Sequence, residues 1–353
     1  MTESLPNASS IPNTSSLSSL SLSSASASES ESASPLSSAQ SEAVRTAAVR
    51  STAVRTASIS KSSQNLSLND PVRERIRTAC EEVRQKTPLA QSFTNFVTIN
   101  LVANAQLAAG GSAAMSFLPD DIKDIEAISG ASYINVGTLL PSYEDALKDI
   151  AKSFFERTSL WVLDPVAAGL GSTRTRILKA FAEYPPTIVR ANASEIIALC
   201  GIWDISLKTD SNGKVNRPAG VESVDDVDSA TLHAIELARY LREHNATHTA
   251  AVAVSGERDL VTDGDRVYRL PGGNAMMTKI TGAGCSLGGV TATYLAVSDP
   301  LTAALAASLH FNCASEQAGT VAQGPGSFQT AFLDALWQIQ AAEIADSTII
   351  DMH

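Results

Sequence analysis

The chain of 353 residues carries 26 basic and 37 acidic side chains, and its net charge of −11 argues against nucleic acid as a partner, because a phosphate backbone requires a basic face. The four cysteines, Cys80, Cys200, Cys285 and Cys313, lie far apart. This spacing argues against a zinc site or a secreted disulfide scaffold and predicts a reducing compartment, the cytoplasm. No apolar run reaches the length of a membrane span, so we expect no membrane insertion.

The first part of the chain differs in composition from the rest. Residues 1–63 contain 23 serines, and the first aromatic residue of the chain is Phe93. A segment with so few large apolar side chains cannot bury enough surface to offset its conformational entropy. We therefore predict a disordered extension over residues 1–66 and one folded domain over residues 67–353.

Arginines recur within this extension at Arg45, Arg50 and Arg55, in a serine- and alanine-rich setting that an organellar targeting segment would also show. Glu3 and the absence of any arginine before Arg45 favour a plain low-complexity extension instead. Organellar targeting is the alternative interpretation.

From Asp70 onward, stretches with helical periodicity alternate with short β-rich runs, which predicts an α/β fold with a mostly parallel sheet. Several β-rich runs are almost continuously apolar, as strands covered on both faces require. The predicted strands span residues 112–116, 131–136, 160–164, 187–191, 249–254, 258–263 and 266–270. The predicted helices span residues 71–86, 97–109, 119–129, 142–157, 192–200, 228–244, 284–296, 301–318 and 328–344. Residues 204–227 are predicted to form an exposed loop.

A glycine-rich turn, Gly282-Ala283-Gly284, precedes the predicted helix 284–296. The first N–H groups of a helix lack partners within the helix, and with the helix dipole they can bind an oxyanion. The turn therefore predicts an anion hole. Taken alone, it is more typical of two glycines that only permit a tight loop.

Asn192 and Glu195 are three residues apart at the start of a predicted helix and share one face, where they could hold a hydrated magnesium ion. The same spacing is typical of a capping box, which is structural. Asp164 ends a predicted buried strand, where a ligand is expected in an α/β sheet, although an Asp-Pro turn is the structural alternative.

Six blocks of sequence, taken together and in order, resemble the hydroxyethylthiazole kinases. Their residues are 88–116 (PLAQSFTNFVTINLVANAQLAAGGSAAMS), 164–175 (DPVAAGLGSTRT), 188–196 (IVRANASEI), 255–264 (SGERDLVTDG), 278–287 (TKITGAGCSL) and 324–335, from GPGSF to FLDAL. The resemblance implies a ribokinase-like three-layer αβα fold. It also implies transfer of the γ-phosphate from MgATP to the hydroxyl of 4-methyl-5-(2-hydroxyethyl)thiazole, in thiamin biosynthesis or salvage.

The resemblance also implies roles for individual residues. Asn95 and Met115 would lie beside the thiazole, with Gly282 near its hydroxyl, while Arg190 and Ser255 would contact ATP. From the residues alone, Met115 would be a core gap-filler and Asn95 a helix cap.

The metal and catalytic residues follow from the same resemblance. Asp164 and Glu195 would hold Mg²⁺, because ribokinase-like kinases have a similar Asn-x-x-Glu element near the metal. Cys285 stands where sugar kinases of this fold place a proton-accepting aspartate, and a helix N-terminus could lower its pKa. The predicted catalytic set is the anion hole with this thiol: Gly282, Ala283, Gly284 and Cys285.

Gln91, Ser92 and Ala283 depart from the residues that many relatives carry, His, Cys and Thr respectively. The family also implies a homotrimer with active sites between subunits. The alternatives are a hydroxymethylpyrimidine or hydroxymethylpyrimidine phosphate kinase, a repair dehydratase for hydrated nicotinamide dinucleotides, and a non-catalytic interaction protein. The front segment QSFTNFVTIN argues against the pyrimidine kinases, and Cys285 argues against the dehydratase. The complete glycine turn argues against a non-catalytic protein.

Overall fold

A computed structural model describes residues 64–207 and 226–352 of the chain. The predicted disordered extension, with its targeting alternative, lies outside the described residues except for residues 64–66, and the predicted loop 204–227 lies outside them from residue 208 to 225. Gln64–Asn65 form a short strand that pairs with Ile350–Asp351, so the folded part already includes these two residues.

Ten strands of the described residues form one sheet in the order β1-β10-β9-β8-β7-β6-β5-β4-β2-β3. The six strands from β2 to β7 run parallel, and the remaining pairs are antiparallel. The strands are β1 (Gln64–Asn65), β2 (Leu89–Phe93), β3 (Ser112–Met115), β4 (Ala131–Asn135), β5 (Trp161–Asp164), β6 (Ile188–Asn192), β7 (Ala251–Ser255), β8 (Arg258–Thr262), β9 (Val267–Pro271) and β10 (Ile350–Asp351).

Helices cover both faces of this sheet, each over its own apolar core. One layer contains α1 (Pro71–Lys86), α2 (Ile99–Ala108), α8 (Ala283–Leu295), α9 (Pro300–Val321), α10 (Pro325–Gln338) and α11 (Ala341–Asp346). The other contains α3 (Pro119–Glu126), α4 (Tyr143–Glu156), α5 (Ser172–Phe181), α6 (Ala193–Ile202) and α7 (Asp226–His244). The predicted three-layer architecture is confirmed.

Helix boundaries follow the capping residues of the sequence. Asp70 accepts a hydrogen bond from Val72 N at 2.8 Å and Pro71 occupies the first turn, so α1 begins where predicted. Asp299 and Pro300 start α9 in the same way.

The predicted secondary structure lacks β1, β2, β10 and α5, and one predicted helix is wrong. β2 was not predicted, because the polar Gln91 and Ser92 interrupt its apolar pattern, although both are buried and bonded to Ser132 and Gln106. α5 was not predicted either. The predicted helix 328–344 is two helices, since Ile339 and Gln340 are extended.

The parallel strands bring their carboxyl ends to one edge of the sheet. Five of them end in Met115, Asn135, Asp164, Asn192 and Ser255. In the described ranges, no helix is both long enough and apolar enough to cross a membrane.

Candidate active site

A cavity of about 940 Å³ lies at this carboxyl edge. Arg190 from β6 and Ser255 from β7 line it together with Ala283 and Gly284 of the glycine turn. The Nη2 atom of Arg190 donates to Ser255 Oγ at 2.6 Å. The structure thus brings together the two residues predicted to contact ATP, at a cavity large enough for a ligand of that size.

The glycine turn begins α8 and has glycine where a side chain would not fit. Gly282 has φ +92°, and a Cβ there would lie 2.7 Å from Thr98 Cγ2. At Gly284 a Cβ would lie 2.7 Å from Arg190 Nη1. The turn therefore contacts α2 on one side and the cavity on the other, and its free N–H groups are available to an oxyanion.

Asp164 lies buried beside Arg190, at 3.6 Å from Arg190 Nη1. Its Oδ2 atom accepts hydrogen bonds from Tyr133 Oη at 2.9 Å and from Asn135 Nδ2 at 3.0 Å. Burial raises the pKa of Asp164 to about 6, against the opposing charge of Arg190, and the nearby charge of Glu195 adds to the rise. Asp164 is thus an ion-paired carboxylate at the junction of three strands, and the turn of the structural alternative also follows it, with Ala168 N donating to Pro165 O.

Asn95 and Cys285 meet on the side of the glycine turn that faces α2. Asn95 Nδ2 lies 3.4 Å from Cys285 Sγ and 3.1 Å from Asn135 Oδ1, while Asn95 Oδ1 accepts from Val97 N. Burial raises the pKa of the Cys285 thiol, and the charge of Asp164 raises it further. The expected lowering of this pKa by the helix N-terminus is therefore wrong, because burial and the like charge of Asp164 raise the pKa and favour the neutral thiol.

Met115 ends β3 and is partly buried, with its side chain packed against the core of the α1, α2 and α8–α11 layer. Its strand pairs with β2, where Met115 lies opposite Ser92. Met115 thus lies at the same edge as Asn95, and its packing agrees with the structural alternative of a gap-filling side chain.

Glu195 forms the capping box that was the structural alternative for this motif. Asn192 N donates to Glu195 Oε2 at 3.0 Å and Glu195 N donates to Asn192 Oδ1 at 2.9 Å. The other oxygen of Glu195 accepts from Ala167 N at 2.9 Å. In the part of the chain that the structure describes, no group of three or more acidic, histidine or cysteine side chains could hold a metal alone.

Magnesium in phosphate-transfer sites usually has one or two carboxylate partners, completed by water and by the phosphates. The carboxylates of Asp164 and Glu195 are close enough for the charge of Glu195 to raise the pKa of Asp164. Glu195 is only partly buried, whereas Asp164 is buried. The donor set therefore fits a hydrated magnesium ion that arrives with a nucleotide.

Sequence reasoning missed Tyr133 and Asn135, which connect Asp164 to Asn95. The signal was weak but present, because Asn135 is a polar residue at the end of a predicted buried strand. Asp259 was missed as well. It lines the cavity, its Oδ1 atom accepts from Gly256 N at 3.1 Å, and burial raises its pKa to about 6.

The known proteins that are similar to this chain belong to one family. The hydroxyethylthiazole kinase family model matches residues 80–342. A hydroxyethylthiazole kinase of Bifidobacterium longum subsp. infantis is 64% identical over 289 residues, covering 80% of this chain and 92% of the relative. One from Bifidobacterium adolescentis is 61% identical over 294 residues, covering 82% and 100% respectively.

The structure of a hydroxyethylthiazole kinase from Pyrococcus horikoshii OT3 has the same fold. It superposes with a TM-score of 0.68 at 28% identity, covering 79% of this chain and 100% of that chain. The fold is thus the ribokinase-like arrangement that the sequence predicted.

Proposed function

The chain belongs to the hydroxyethylthiazole kinase family, and from this premise we propose that it transfers the γ-phosphate of ATP to the hydroxyl of 4-methyl-5-(2-hydroxyethyl)thiazole, in the thiamin pathway. The observation that carries the proposal is the position of the glycine turn. Arg190 and the cavity lie on one side of the turn, and Asn95 and Cys285 lie near its other side. A phosphoryl group at the turn would lie between nucleotide and alcohol.

In this reaction the alcohol oxygen bonds to the γ-phosphorus, the bond between the γ-phosphorus and the β,γ-bridging oxygen breaks to release ADP, and the hydroxyl proton passes to solvent. Charge on the transferred phosphoryl oxygens is stabilised by the N–H groups of Ala283 and Gly284 and by the guanidinium of Arg190. Asn95 and Met115 border the thiazole, with Gly282 near its hydroxyl. Positioning and charge stabilisation supply most of the rate, because phosphoryl transfer passes through a loose transition state.

Cys285 acts in this scheme as a neutral thiol beside the reacting hydroxyl. Its raised pKa leaves little thiolate at neutral pH, so it is a poor proton acceptor. Asn95, which lies 3.4 Å from the sulfur, holds the thiol in place. The role of Cys285 is therefore to shape and orient the site rather than to deprotonate the alcohol.

Mg²⁺ would be held by Asp164 and Glu195 together with the nucleotide, and when bound it neutralises charge on the phosphate oxygens. Asp164 contributes a buried negative charge fixed by Tyr133 and Asn135. Glu195 contributes a second carboxylate whose orientation is fixed by two backbone N–H groups.

The subunits would form a homotrimer with the sites between them. Five large apolar side chains that follow β2, β3, β4 and β5 at the carboxyl edge are 45% to 69% exposed: Phe96, Val97, Leu118, Leu140 and Leu170. Exposed apolar side chains in loops near a site are typical of a surface that a neighbouring subunit covers. Light scattering of the purified protein tests this, and a monomer at micromolar concentration would contradict it. We also propose the cytoplasm as the compartment, as the wide spacing of the four cysteines in the sequence predicts.

The test of the function is incubation of the purified protein with MgATP and a panel of thiazole, pyrimidine and pyridoxal alcohols. Mass spectrometry then detects each monophosphate. We expect the thiazole monophosphate to form, and the thiazole alcohol to have the highest kcat/KM of the panel. A pyrimidine monophosphate without any thiazole monophosphate would contradict the proposal.

A further inference from the structure

Asn135 is bonded to residues of the candidate site and has no exposed surface of its own. Its side chain is fully buried at the end of β4. Its Nδ2 atom donates to Tyr133 Oη at 2.9 Å and to Asp164 Oδ2 at 3.0 Å. Its Oδ1 atom accepts from Asn95 Nδ2 at 3.1 Å and from Gly137 N at 2.9 Å. With both donors and both acceptor positions of the amide used, any effect of Asn135 must act through its neighbours.

These four bonds connect the two sides of the proposed reaction. Asn95, which faces Cys285, belongs to the alcohol side, and Asp164, which pairs with Arg190, belongs to the nucleotide side. The amide of Asn135 is the group that bonds to both. An amide suits this place, because one end donates to a carboxylate while the other end accepts from a second amide.

Close packing fixes the geometry of this connection. A Cβ at Gly137 would lie 2.9 Å from both Asn135 Oδ1 and Asn95 Nδ2. A Cβ at Gly288, in the second turn of α8, would lie 2.4 Å from the ring of Tyr133. The helix that carries the glycine turn therefore rests directly on the tyrosine that Asn135 bonds to, and small shifts of this network displace the anion hole.

We propose that Asn135 is a positioning residue for phosphoryl transfer, holding Asn95 and Asp164 at a fixed separation across the glycine turn. The inference rests on the proposed function. Partners behind the residues that contact substrate or metal commonly change affinity or activity by about 10-fold to 100-fold when removed. A loss of that size is expected for Asn135, although it touches neither substrate.

The variant Asn135→Ala tests the proposal, with Asn245→Ala as its matched control. Asn245 is also buried and also makes four side-chain hydrogen bonds, but it precedes β7 at the opposite edge of the sheet. Both variants should lose thermal stability. Only Asn135→Ala should raise KM for the thiazole alcohol and lower kcat, with kcat/KM reduced about 10-fold to 100-fold. A merely structural role would lower the active fraction and leave KM unchanged.

Gly137→Ala is a second variant, which keeps the Asn135 amide but presses a methyl group against it and against Asn95. Like Asn135→Ala, it should raise KM for the alcohol. It replaces Asn135→Ala as the test if that variant does not fold. Unchanged kcat and KM in whichever of these two variants is folded would overturn the proposal.

Calorimetric titration with MgATP separates this proposal from the proposed function, since binding needs no turnover. If the wild-type protein binds MgATP but phosphorylates no thiazole, the proposed function is wrong. The positioning role of Asn135 is then tested by nucleotide binding alone. We expect MgATP to bind several-fold more weakly to Asn135→Ala than to Asn245→Ala. Equal dissociation constants in the two variants would then overturn the positioning role.

Discussion

Two of the buried polar networks among the described residues differ in character, one at the carboxyl edge of the sheet and one between the helices of the layer around α8 and α9. In the helix-layer network, Tyr294 Oη lies 2.9 Å from His310 Nδ1 and 3.5 Å from Cys80 Sγ, and His310 Nε2 lies 2.9 Å from Leu336 O. Burial lowers the pKa of His310 to about 4 and raises that of Cys80 to about 12, so both are neutral at pH 7.

The donors of the helix-layer network can all be paired with acceptors inside the same network. Leu336 O must accept from Nε2, so Nδ1 of the neutral ring accepts from Tyr294, whose oxygen can then accept from the Cys80 thiol. The carboxyl-edge network differs, because it contains the ion pair of Asp164 with Arg190 and borders a cavity. Arg190 Nε is buried and has no hydrogen-bond partner among the described residues.

The comparison teaches that burial of polar groups does not itself indicate a site. A neutral network that ends on a backbone carbonyl stabilises the fold. A charged network beside a cavity, with a donor that has no partner, can bind a ligand.

Gly284→Val should break the carboxyl-edge network most severely. Its side chain would displace Arg190 and obstruct the N–H groups of the turn, so kcat should fall at least about 100-fold, the cost of losing one oxyanion donor. Gly201→Val is the control, because a Cβ at that helical position meets nothing within 4 Å. Steady-state kinetics of both variants checks this, and a folded Gly284→Val with wild-type kcat would exclude the anion hole.

His310→Gln should change the pH dependence of stability and leave activity at neutral pH intact. The unfolded histidine binds a proton below about pH 6.5, but the native one stays neutral to about pH 4. The free energy of unfolding therefore decreases as pH falls from about 6.5 to about 4. The decrease is on the order of 3 kcal/mol, at about 1.36 kcal/mol per unit of pKa difference. Urea unfolding at several pH values should show a flatter acid-side profile in the variant, and identical slopes would contradict the neutral assignment.

Glu195→Gln should separate metal binding from helix capping. Loss of the cap costs about 1 kcal/mol, whereas loss of a metal partner should raise the half-saturating Mg²⁺ concentration about 10-fold. Glu343 makes the equivalent capping box with Gln340 at the start of α11, so Glu343→Gln is the control. If both variants show the wild-type magnesium titration, Glu195 is only a cap.

Much of the fold could be predicted from the sequence, because the strands from β3 to β9 are apolar runs whose pattern does not depend on tertiary contacts. β2 could not be predicted, since Gln91 and Ser92 are buried only through partners on other elements.

The site could be predicted only in part. Asp164, Arg190 and Ser255 lie at or near strand ends and match motifs of the family. Asn135 also lies near a strand end, but neither Asn135 nor Tyr133 belongs to a matched motif, and the rest of their strand is typical of core. The direction of the pKa shift of Cys285 could not be inferred from its helix position, because burial and the charge of Asp164 determine it.

The most direct measurement compares two tyrosine hydroxyl deletions, Tyr133→Phe and Tyr294→Phe, one in each network. Both hydroxyls are buried and both phenyl rings keep their packing. Tyr133→Phe should lower kcat/KM about fivefold, since one hydrogen bond is worth about 1 kcal/mol. Tyr294→Phe should leave kcat/KM unchanged and lower the free energy of unfolding by about 1–3 kcal/mol, because it leaves His310 Nδ1 buried without a donor. Equal effects of the two variants on kcat/KM would contradict the division between a network for catalysis and a network for stability.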